Sequence, residues 1–481
     1  MQQILFKFSL SCVIIQKMIQ IDKKIFPETP GAFIVGGSIR DLLCGRSPVD
    51  YDIAVQGDPV KFARQIKSNT NGRMVELGKS GQMIIRVVGE KNIIDITGIK
   101  KESIEKDLLA RDFTINAMAY DLSSNQLIDP VGAQRDLKNK TVRMVSKDIF
   151  KRDPVRLLRA YRIAAEFKFE IEPRTKAAIK KHAALVQQSA VERVRAEFFK
   201  MLQCADSHPY LRQVARSKLL FAFLPELAAL KECRQNRHHQ FNVFAHTLHA
   251  FFHLEGLLGS KQKLLIAGGE PAAHQIAEPQ IPLLKFSILL HDLAKPAVQT
   301  MDRNGKRHFY GHERQSSQMA EAVCQRLKCS RRDTDKIRSL VRHHTSPRFL
   351  FTALREQKAG PRAVTRFFMK FAEYIPDLLI VAAADMLGKE AEPSERSTAF
   401  LAFLNQLMID FETDFTTRKS GSRLITGHDL TAEFGLVPSP LYKKILSRVE
   451  EERLSKSDMT RQEAVVLVKR LIRNHRSTAK S

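Results

Sequence analysis

The period of the apolar positions changes near residue 148. Before it, short apolar runs alternate with polar positions or end at glycine and turn residues. "AFIV" (32–35) predicts a strand, "GGS" (36–38) a turn, and "IRDLLCG" (39–45) a helix stopped by Gly45. "VDYDIAV" (49–55) alternates as a strand, and "MIIRVV" (83–88) and "NIIDITGI" (92–99) flank "GEK" as a hairpin. Beyond residue 148 the helical period takes over. "DPVRLLRAYRIAAEF" (153–167) and "AVERVRAEFFKMLQ" (190–203) predict amphipathic helices, and helical patterning continues to the end of the chain. The segment 260–282, "SKQKLLIAGGEPAAHQIAEPQIP", breaks that pattern as a loop, and "KEAEPSER" (389–396) predicts a linker. No internal repeat is visible.

The strand at 49–55 raises the first chemical question. Residues two apart in a strand share a face, so Asp50 and Asp52 point together while Val49, Tyr51, Ile53 and Val55 face a core. Two adjacent carboxylates repel unless cations lie between them, and oxygen ligands beside a phosphate suit Mg²⁺. Two such ions would activate an attacking hydroxyl and stabilise a leaving pyrophosphate. Gly36 and Gly37 let backbone approach a phosphate, the helix that follows offers N–H groups, and Arg40 adds fixed positive charge. Asp95, on the polar face of "IIDIT", is a candidate third acid. The competing interpretation is an exposed acidic strand beside an ordinary strand–helix turn.

Composition narrows the class. The 481 residues are too many for one core and predict three or four domains. At 43% hydrophobic the chain is globular, and no apolar run is long enough to span a membrane. The start, "MQQILFKFSLSCVIIQKM", is broken by Lys7 and lacks a cleavage site, so it is expected to be an extension, with Met18 an alternative start. Six scattered cysteines predict a reduced, cytoplasmic protein. Lysine and arginine (78) exceed aspartate and glutamate (52), a net charge of +26. A polyanion, nucleic acid above all, is the natural partner of such a surface, the alternative being a merely solvated basic exterior.

The motifs "GGSIRDLLCGRSPVDYDIAV" (36–55), "ARDFTINAMAYDL" (110–122), "DPVGAQRDLKNKTVRMV" (129–145), "RDPVRLLRAYRIAAEF" (152–167) and "VERVRAEFFKML" (191–202) follow in order. Together they resemble the class II tRNA nucleotidyltransferase and bacterial poly(A) polymerase family. The resemblance implies a polymerase-beta-like α+β nucleotidyltransferase head in which Asp50 and Asp52 hold two Mg²⁺ ions. It implies that Arg111 contacts the triphosphate and that Asp112 and Asn116 meet the ribose hydroxyls. A local salt bridge at 111–112 and a turn contact at Asn116 are the plain alternatives. Asp129 and Asp136 are expected to join head and neck.

An enzyme that adds C and A without a template must recognise an amino donor beside a ring-nitrogen acceptor, which a fixed carboxylate and guanidinium complement. The family carries E-D-x-x-R for this task, and this chain reads "RDPVR". Asp153 and Arg156 align with the reading pair, with Arg159 and Arg162 further along, and Arg152 replaces the glutamate. Arg152, Arg156 and Arg159 are expected on one helix face. Asp153 before Pro154 is also an ordinary helix start.

Eleven of the fifteen histidines lie between 238 and 344. "LLHDLAKP" places His291 beside Asp292, "FYGHERQSS" supplies His312, "LVRHHTSP" supplies His343 and His344, and "AAADML" supplies Asp385; His246 lies upstream. Imidazoles with bridging carboxylates suit a transition metal. The pattern resembles the HD phosphohydrolase superfamily over about 240–390, which implies His246, His291, Asp292 and Asp385 as ligands, joined by His312 and His343. A metal-free HD scaffold is the alternative.

The expected organisation is an extension (1–29), the head (30–147), then all-α neck (148–232), HD (233–395) and tRNA-binding tail (396–481) domains. The expected function is CCA addition to tRNA from CTP and ATP. The alternatives are CC-only, A-only or poly(A) synthesis, or an HD-centred phosphohydrolase with an RNA-binding head.

Overall fold

A computed structural model describes residues 19, 21–48, 50–78, 83–99, 103–234, 242–259, 276–360, 362–390, 394–456 and 458–478. Val49, Met18 and most of the expected loop at 260–282 lie outside these residues. The chain divides into two compact units, residues 1–204 with 209–223, and 205–208 with 224–481.

The first unit opens with a seven-stranded mixed sheet. Its strands are β1 (Ala32–Val35), β2 (Asp50–Val55), β3 (Arg73–Leu77), β4 (Ile84–Val88), β5 (Ile93–Gly98), β6 (Ala119–Asp121) and β7 (Leu127–Ile128), in the order β3-β4-β5-β2-β1-β6-β7. β2 and β5 run parallel and every other neighbouring pair antiparallel. The patterned strands β1, β2, β4 and β5 occupy the interior of the order. β3, β6 and β7 were not legible as strands: β3 (Arg-Met-Val-Glu-Leu) does not alternate and is mostly exposed, and β6 and β7 are three and two residues long.

Both faces of the sheet are covered. One bears Ile34, Ile53, Val55, Ile85, Val87, Ile94 and Ile96 under Phe62, Ala63 and Ile66 of the helix Pro59–Thr70. The other bears Phe33, Val35, Ala54, Ala117 and Ala119 under Ile104 and Leu108. Alternation therefore assigns Asp50 and Asp52 to the face of Ala54, whose far end is packed and whose near end is open: Asp50 and Asp52 are exposed while Ala54 is buried. Tyr51, on the opposite face, is half-buried against Phe26.

Helices complete the unit. Arg156–Phe167 buries Leu157, Leu158, Ala160, Tyr161 and Ile163, and packs on Val191–Gln203. Arg152 does not share its face with Arg156 and Arg159, because it ends a separate short helix, Ile149–Arg152, and Asp153 is extended. Asp129 and Asp136 act inside the head. Asp129 accepts from the N–H groups of Ala133 and Gln134, and Asp136 is fully buried between Thr114 and a bidentate Arg143.

The second unit is helical apart from a small ribbon, Thr300–Met301 with Arg307–His308. Two of its helices are buried almost all round: nine of the ten residues of Ile281–Leu290, and twelve of the thirteen of Ile375–Leu387. Each carries only two polar residues, Lys285 and Ser287 in the first and Asp377 and Asp385 in the second, and all four are buried, so neither helix has a polar face to turn outward. Near the C-terminus, Ile425, Leu430, Ile445, Val449, Leu467 and Val468 form a separate small core. No helix among the described residues is long and apolar enough to cross a membrane.

Candidate functional sites

β1 ends at Val35 and the chain turns at Gly36, whose φ of 75° and ψ of −135° favour a residue without Cβ. The helix Gly37–Leu43 follows. Ser38 ties it to β2 by donating to the Asp50 carbonyl (3.1 Å) and accepting from the Asp52 N–H (3.2 Å). The strand carrying the acids is thus fixed to the glycine turn.

Arg111 crosses directly over Gly36. A Cβ on Gly36 would lie 2.5 Å from Arg111 Nη1 and 3.4 Å from Asp52 Oδ2. Arg111 is anchored by Asp107, at 3.0 and 3.1 Å. Its guanidinium opposes the dominant influence at Asp52, where loss of hydration, reinforced by Asp95 and Asp50, raises the carboxyl pKa. Two crowded acids under a fixed cation are what a divalent metal and a polyphosphate would relieve. Asp95 sits opposite Asp52 in the β2–β5 register, but Arg86 grips it through two 2.7 Å bonds.

A polar chain runs behind this site. Arg40 stacks on Phe167 (4.4 Å) and donates to Asn116 Oδ1 (2.6 Å); Asn116 donates to Asp112 (2.9 Å); Arg159 donates to Asp112 (3.2 Å) and Glu197 (2.9 Å). Burial works against the Asp112 carboxylate, but Arg159, Asn116 and the Phe113 N–H outweigh it and lower its pKa. Arg162 is shared between Glu197 (3.1 Å) and Glu166 (2.6 Å). Arg159 and Arg162 therefore act as struts. Asp153 is held bidentately by Arg193, at 2.7 and 3.0 Å, a partner forty positions away that sequence reasoning did not supply. Arg156 lies 3.8 Å from Asp153, its Nε buried with no hydrogen-bond partner. Arg159 and Arg162 are each held by two carboxylates at 3.2 Å or less, whereas Arg156 makes only long contacts, its Nη1 lying 3.5 Å from the Ala110 carbonyl.

The second cluster lies in the second unit. His246 comes from the helix Val243–Leu258, His291 and Asp292 follow Ile281–Leu290, His312 begins the helix His312–Arg326, and Asp385 belongs to Ile375–Leu387. His246 Nε2 is 3.1 Å from Asp385 Oδ1 and 3.2 Å from His291 Nε2. His291 Nε2 is 3.0 Å from Asp292 Oδ2, and His312 Nε2 is 3.4 Å from Asp292 Oδ1. Their Nδ1 atoms meet the carbonyls of Gly388, Ile288 and Phe309, which fixes ring orientation and leaves Nε2 inward.

His343 is not in this cluster; His344 is. His344 groups with His291 and Asp292, and its Nδ1 meets the Val341 carbonyl at 2.7 Å. His343 packs instead on Phe371 (4.8 Å) and lies near the Ser346 hydroxyl (3.4 Å). Neighbouring helical residues point about 100° apart, so only one of the pair can face the cluster.

Charge organises the cluster. Lys295, within "LLHDLAKP", lies 2.6 Å from Asp292, and Lys389 lies 2.6 Å from Asp385, two ammonium groups whose role the sequence analysis did not foresee. Burial pulls His291 down, but Asp292 and Asp385 reverse this and raise it to about 9, whereas burial keeps His246 and His344 below the usual histidine value. Both Asp292 oxygens are buried without a well-directed hydrogen bond. Imidazole nitrogens and carboxylates converging on such an acid form a donor set suited to a transition metal. A cleft of about 590 Å³ opens onto it.

A glycine turn before two strand-borne acids, backed by a helical bundle, defines a nucleotidyltransferase head. Residues 32–143 match the poly(A) polymerase head domain, residues 168–231 the probable RNA- and SrmB-binding site of polymerase A, and residues 243–387 the HD domain. The chain is 30% identical over 455 residues to the A-adding tRNA nucleotidyltransferase of Deinococcus radiodurans, covering 92% of this chain and 96% of that one. It is 29% identical to the CC-adding tRNA nucleotidyltransferase of Thermus thermophilus, covering 90% and 92%. The fold is shared with a Thermotoga maritima CCA-adding enzyme complexed with tRNA (TM-score 0.60, 21% identity, 96% and 94% covered). The chain belongs to the tRNA nucleotidyltransferase and poly(A) polymerase family, and its nucleotidyltransferase fold implies a divalent metal.

Proposed function

We propose that this protein adds cytidine and adenosine to the 3′ end of tRNA, taking CTP and ATP and releasing pyrophosphate. The observation that carries the reading is the convergence of Asp52, Gly36 and Arg111 at the open end of the sheet. Asp50 and Asp52 would hold Mg²⁺, which supplies Lewis-acid stabilisation of the attacking and leaving oxygens. The tRNA 3′-oxygen bonds to the α-phosphorus as the α–β bridging bond breaks; the hydroxyl proton is lost and pyrophosphate leaves with the bond electrons. Arg111 orients the polyphosphate beside Asp52. Asp112, Asn116 and Arg40 form a rigid wall suited to the ribose. Arg156, with Asp153 held by Arg193, offers donors and acceptors to the base edge. Five described cysteines without disulfides accord with a reducing cytoplasm.

A restricted product is the second reading. It is favoured by Arg152 in the place of an acid and by Asp153 being engaged by Arg193. The test offers CTP, ATP or both to tRNAs ending at the discriminator base, after one C and after CC. Full CCA addition extends the first by three nucleotides; a CC-adding enzyme stops at two; an A-adding enzyme acts only on the third. Asp52→Ala should abolish incorporation while tRNA binding persists, and near-normal incorporation by the folded variant would remove the polymerase reading.

The histidine cluster supports a second activity, metal-dependent phosphoester hydrolysis. The protein should retain a transition metal and open a 2′,3′-cyclic phosphate end, and His291→Ala should remove both and spare nucleotide addition. No retained metal, with no hydrolysis under added Ni²⁺, Mn²⁺ or Co²⁺, would leave a scaffold.

A further inference from the structure

Cys324 and Cys329 lie at the turn between the helices His312–Arg326 and Arg331–His343. The first helix ends in a Schellman motif. Lys328 adopts the left-handed region at φ 52°, its N–H donates to the Gln325 carbonyl (2.9 Å), and the Cys329 N–H donates to the Cys324 carbonyl (2.9 Å). In this motif the two residues joined by the longer-range bond also bring their side chains together, a contact ordinarily made by apolar groups. Here both residues are cysteines, and their thiols meet. Ser330 then caps the second helix by accepting from the Asp333 N–H (3.1 Å). A helix end on either side therefore fixes the direction of Cys329.

The two thiols differ in access and in protonation. Cys324 is fully buried and Cys329 is half-buried. Contact with Cys329, then burial, then the carboxylates of Asp333 and Glu321 raise the Cys324 pKa and keep it a thiol. A reagent from solvent meets Cys329 first, with Cys324 beneath it. Two cysteines can be bridged without backbone movement only where their side chains already converge. The helix end meets that condition before any oxidation, so closure is a reaction between groups already in place. The pair is not part of the histidine cluster: His312 stands at the other end of the same helix, about 18 Å away along its axis.

We propose that Cys324 and Cys329 form a redox-active dithiol, closed reversibly by a low-molecular-weight disulfide such as oxidised glutathione. Cys329 gives its proton to water and its Sγ attacks one sulfur of the reagent. The reagent's S–S bond breaks, and one thiolate leaves with the electron pair and takes up a proton. Cys324 Sγ then attacks Cys329 Sγ in the mixed disulfide, and its proton passes to the second departing thiolate. The two protein thiols lose two electrons, and one small disulfide is reduced to two thiols. In a reducing compartment such a bond is transient and redox-sensing rather than structural. While closed, it staples the turn between the helix that His312 begins and the helix that His344 follows.

The experiment uses the full chain, reduced, desalted, exposed to oxidised glutathione at neutral pH, then denatured, alkylated and digested with trypsin. Arg326 and Lys328 lie between the two cysteines, so cleavage leaves them on separate peptides that stay joined only by a disulfide. Wild type should yield the joined peptide, and dithiothreitol should release it. The exposed Cys44 should gain a glutathione instead. Cys324→Ala should retain glutathione on Cys329 at about tenfold or more the wild-type level, because no second thiol displaces it. Cys329→Ser should leave the buried Cys324 without an adduct until the protein is unfolded. Glutathione accumulating on Cys329 of the wild type without the joined peptide would overturn the proposal. So would two unmodified thiols while Cys44 reacts, or a joined peptide that forms only in denaturant.

Discussion

Replacing Gly36 by alanine tests the geometry at the centre of the site. The new methyl meets two problems at once. Gly36 has φ 75° and ψ −135°, a conformation that costs a residue bearing Cβ about 1–3 kcal/mol. The Cβ would also lie 2.5 Å from Arg111 Nη1, so the guanidinium must withdraw from Asp52. If Arg111 binds the triphosphate, its displacement forfeits a charged hydrogen bond worth about 1.5–3 kcal/mol. At 1.36 kcal/mol per tenfold, that corresponds to about a 10- to 150-fold loss of kcat/KM for the nucleotide. Gly45→Ala is the matched control: its φ is 72°, yet nothing lies within 4 Å of the position of its Cβ. It should carry a backbone penalty without the kinetic one. The assay pairs urea unfolding with initial rates over a CTP series for both variants. Equal kcat/KM for folded Gly36→Ala and Gly45→Ala would refute the placement of Arg111 over the substrate phosphates.

Three further outcomes are expected. Arg156→Ala, which removes the buried Nε that lacks a partner, should raise misincorporation of UTP and GTP more than it weakens tRNA binding, as single-turnover competition assays would show; weaker tRNA binding with unchanged nucleotide choice would make Arg156 a phosphate contact. His344→Ala should reduce retained metal by about tenfold or more while His343→Ala leaves it unchanged, by elemental analysis after dialysis. Asp112 has a lowered pKa, so its stabilising contribution is complete above the ordinary carboxyl value of 3.8 and disappears as pH falls through the lower folded value. Urea midpoints of wild type and Asp112→Asn should therefore differ near neutrality and converge as pH falls below the ordinary carboxyl value, and a constant gap would refute the assignment.

The local chemistry of this protein is written in its sequence because it depends on short spacings. Period-two alternation puts Asp50 and Asp52 on one face whatever the rest of the sheet does. The glycine pair before a helix marks a tight turn, and adjacent His291 and Asp292 at the end of an apolar run mark a metal-type cluster. Boundaries were less legible where the pattern was weak: β3, β6 and β7 are edge or near-edge strands, stabilised by their neighbours rather than by apolar alternation. Periodicity likewise carried Arg152 onto the helix of Arg156, because it does not register the extended backbone at Asp153.

Tertiary structure decided which candidates have capacity left to act. Arg40 meets Asn116 across seventy-six positions and Asp153 meets Arg193 across forty, and no local pattern encodes either pairing. Arg159 and Arg162 carry the same charge as Arg156, yet Glu197 engages them and leaves Arg156 Nε unpaired. His343 and His344 are equivalent in composition and adjacent in sequence. Packing of their helix against the segments bearing His291 and Asp292 turned His344 inward. The physical reason is range: side-chain direction along one element follows from backbone geometry, whereas the partner that satisfies a charge is chosen by the whole fold.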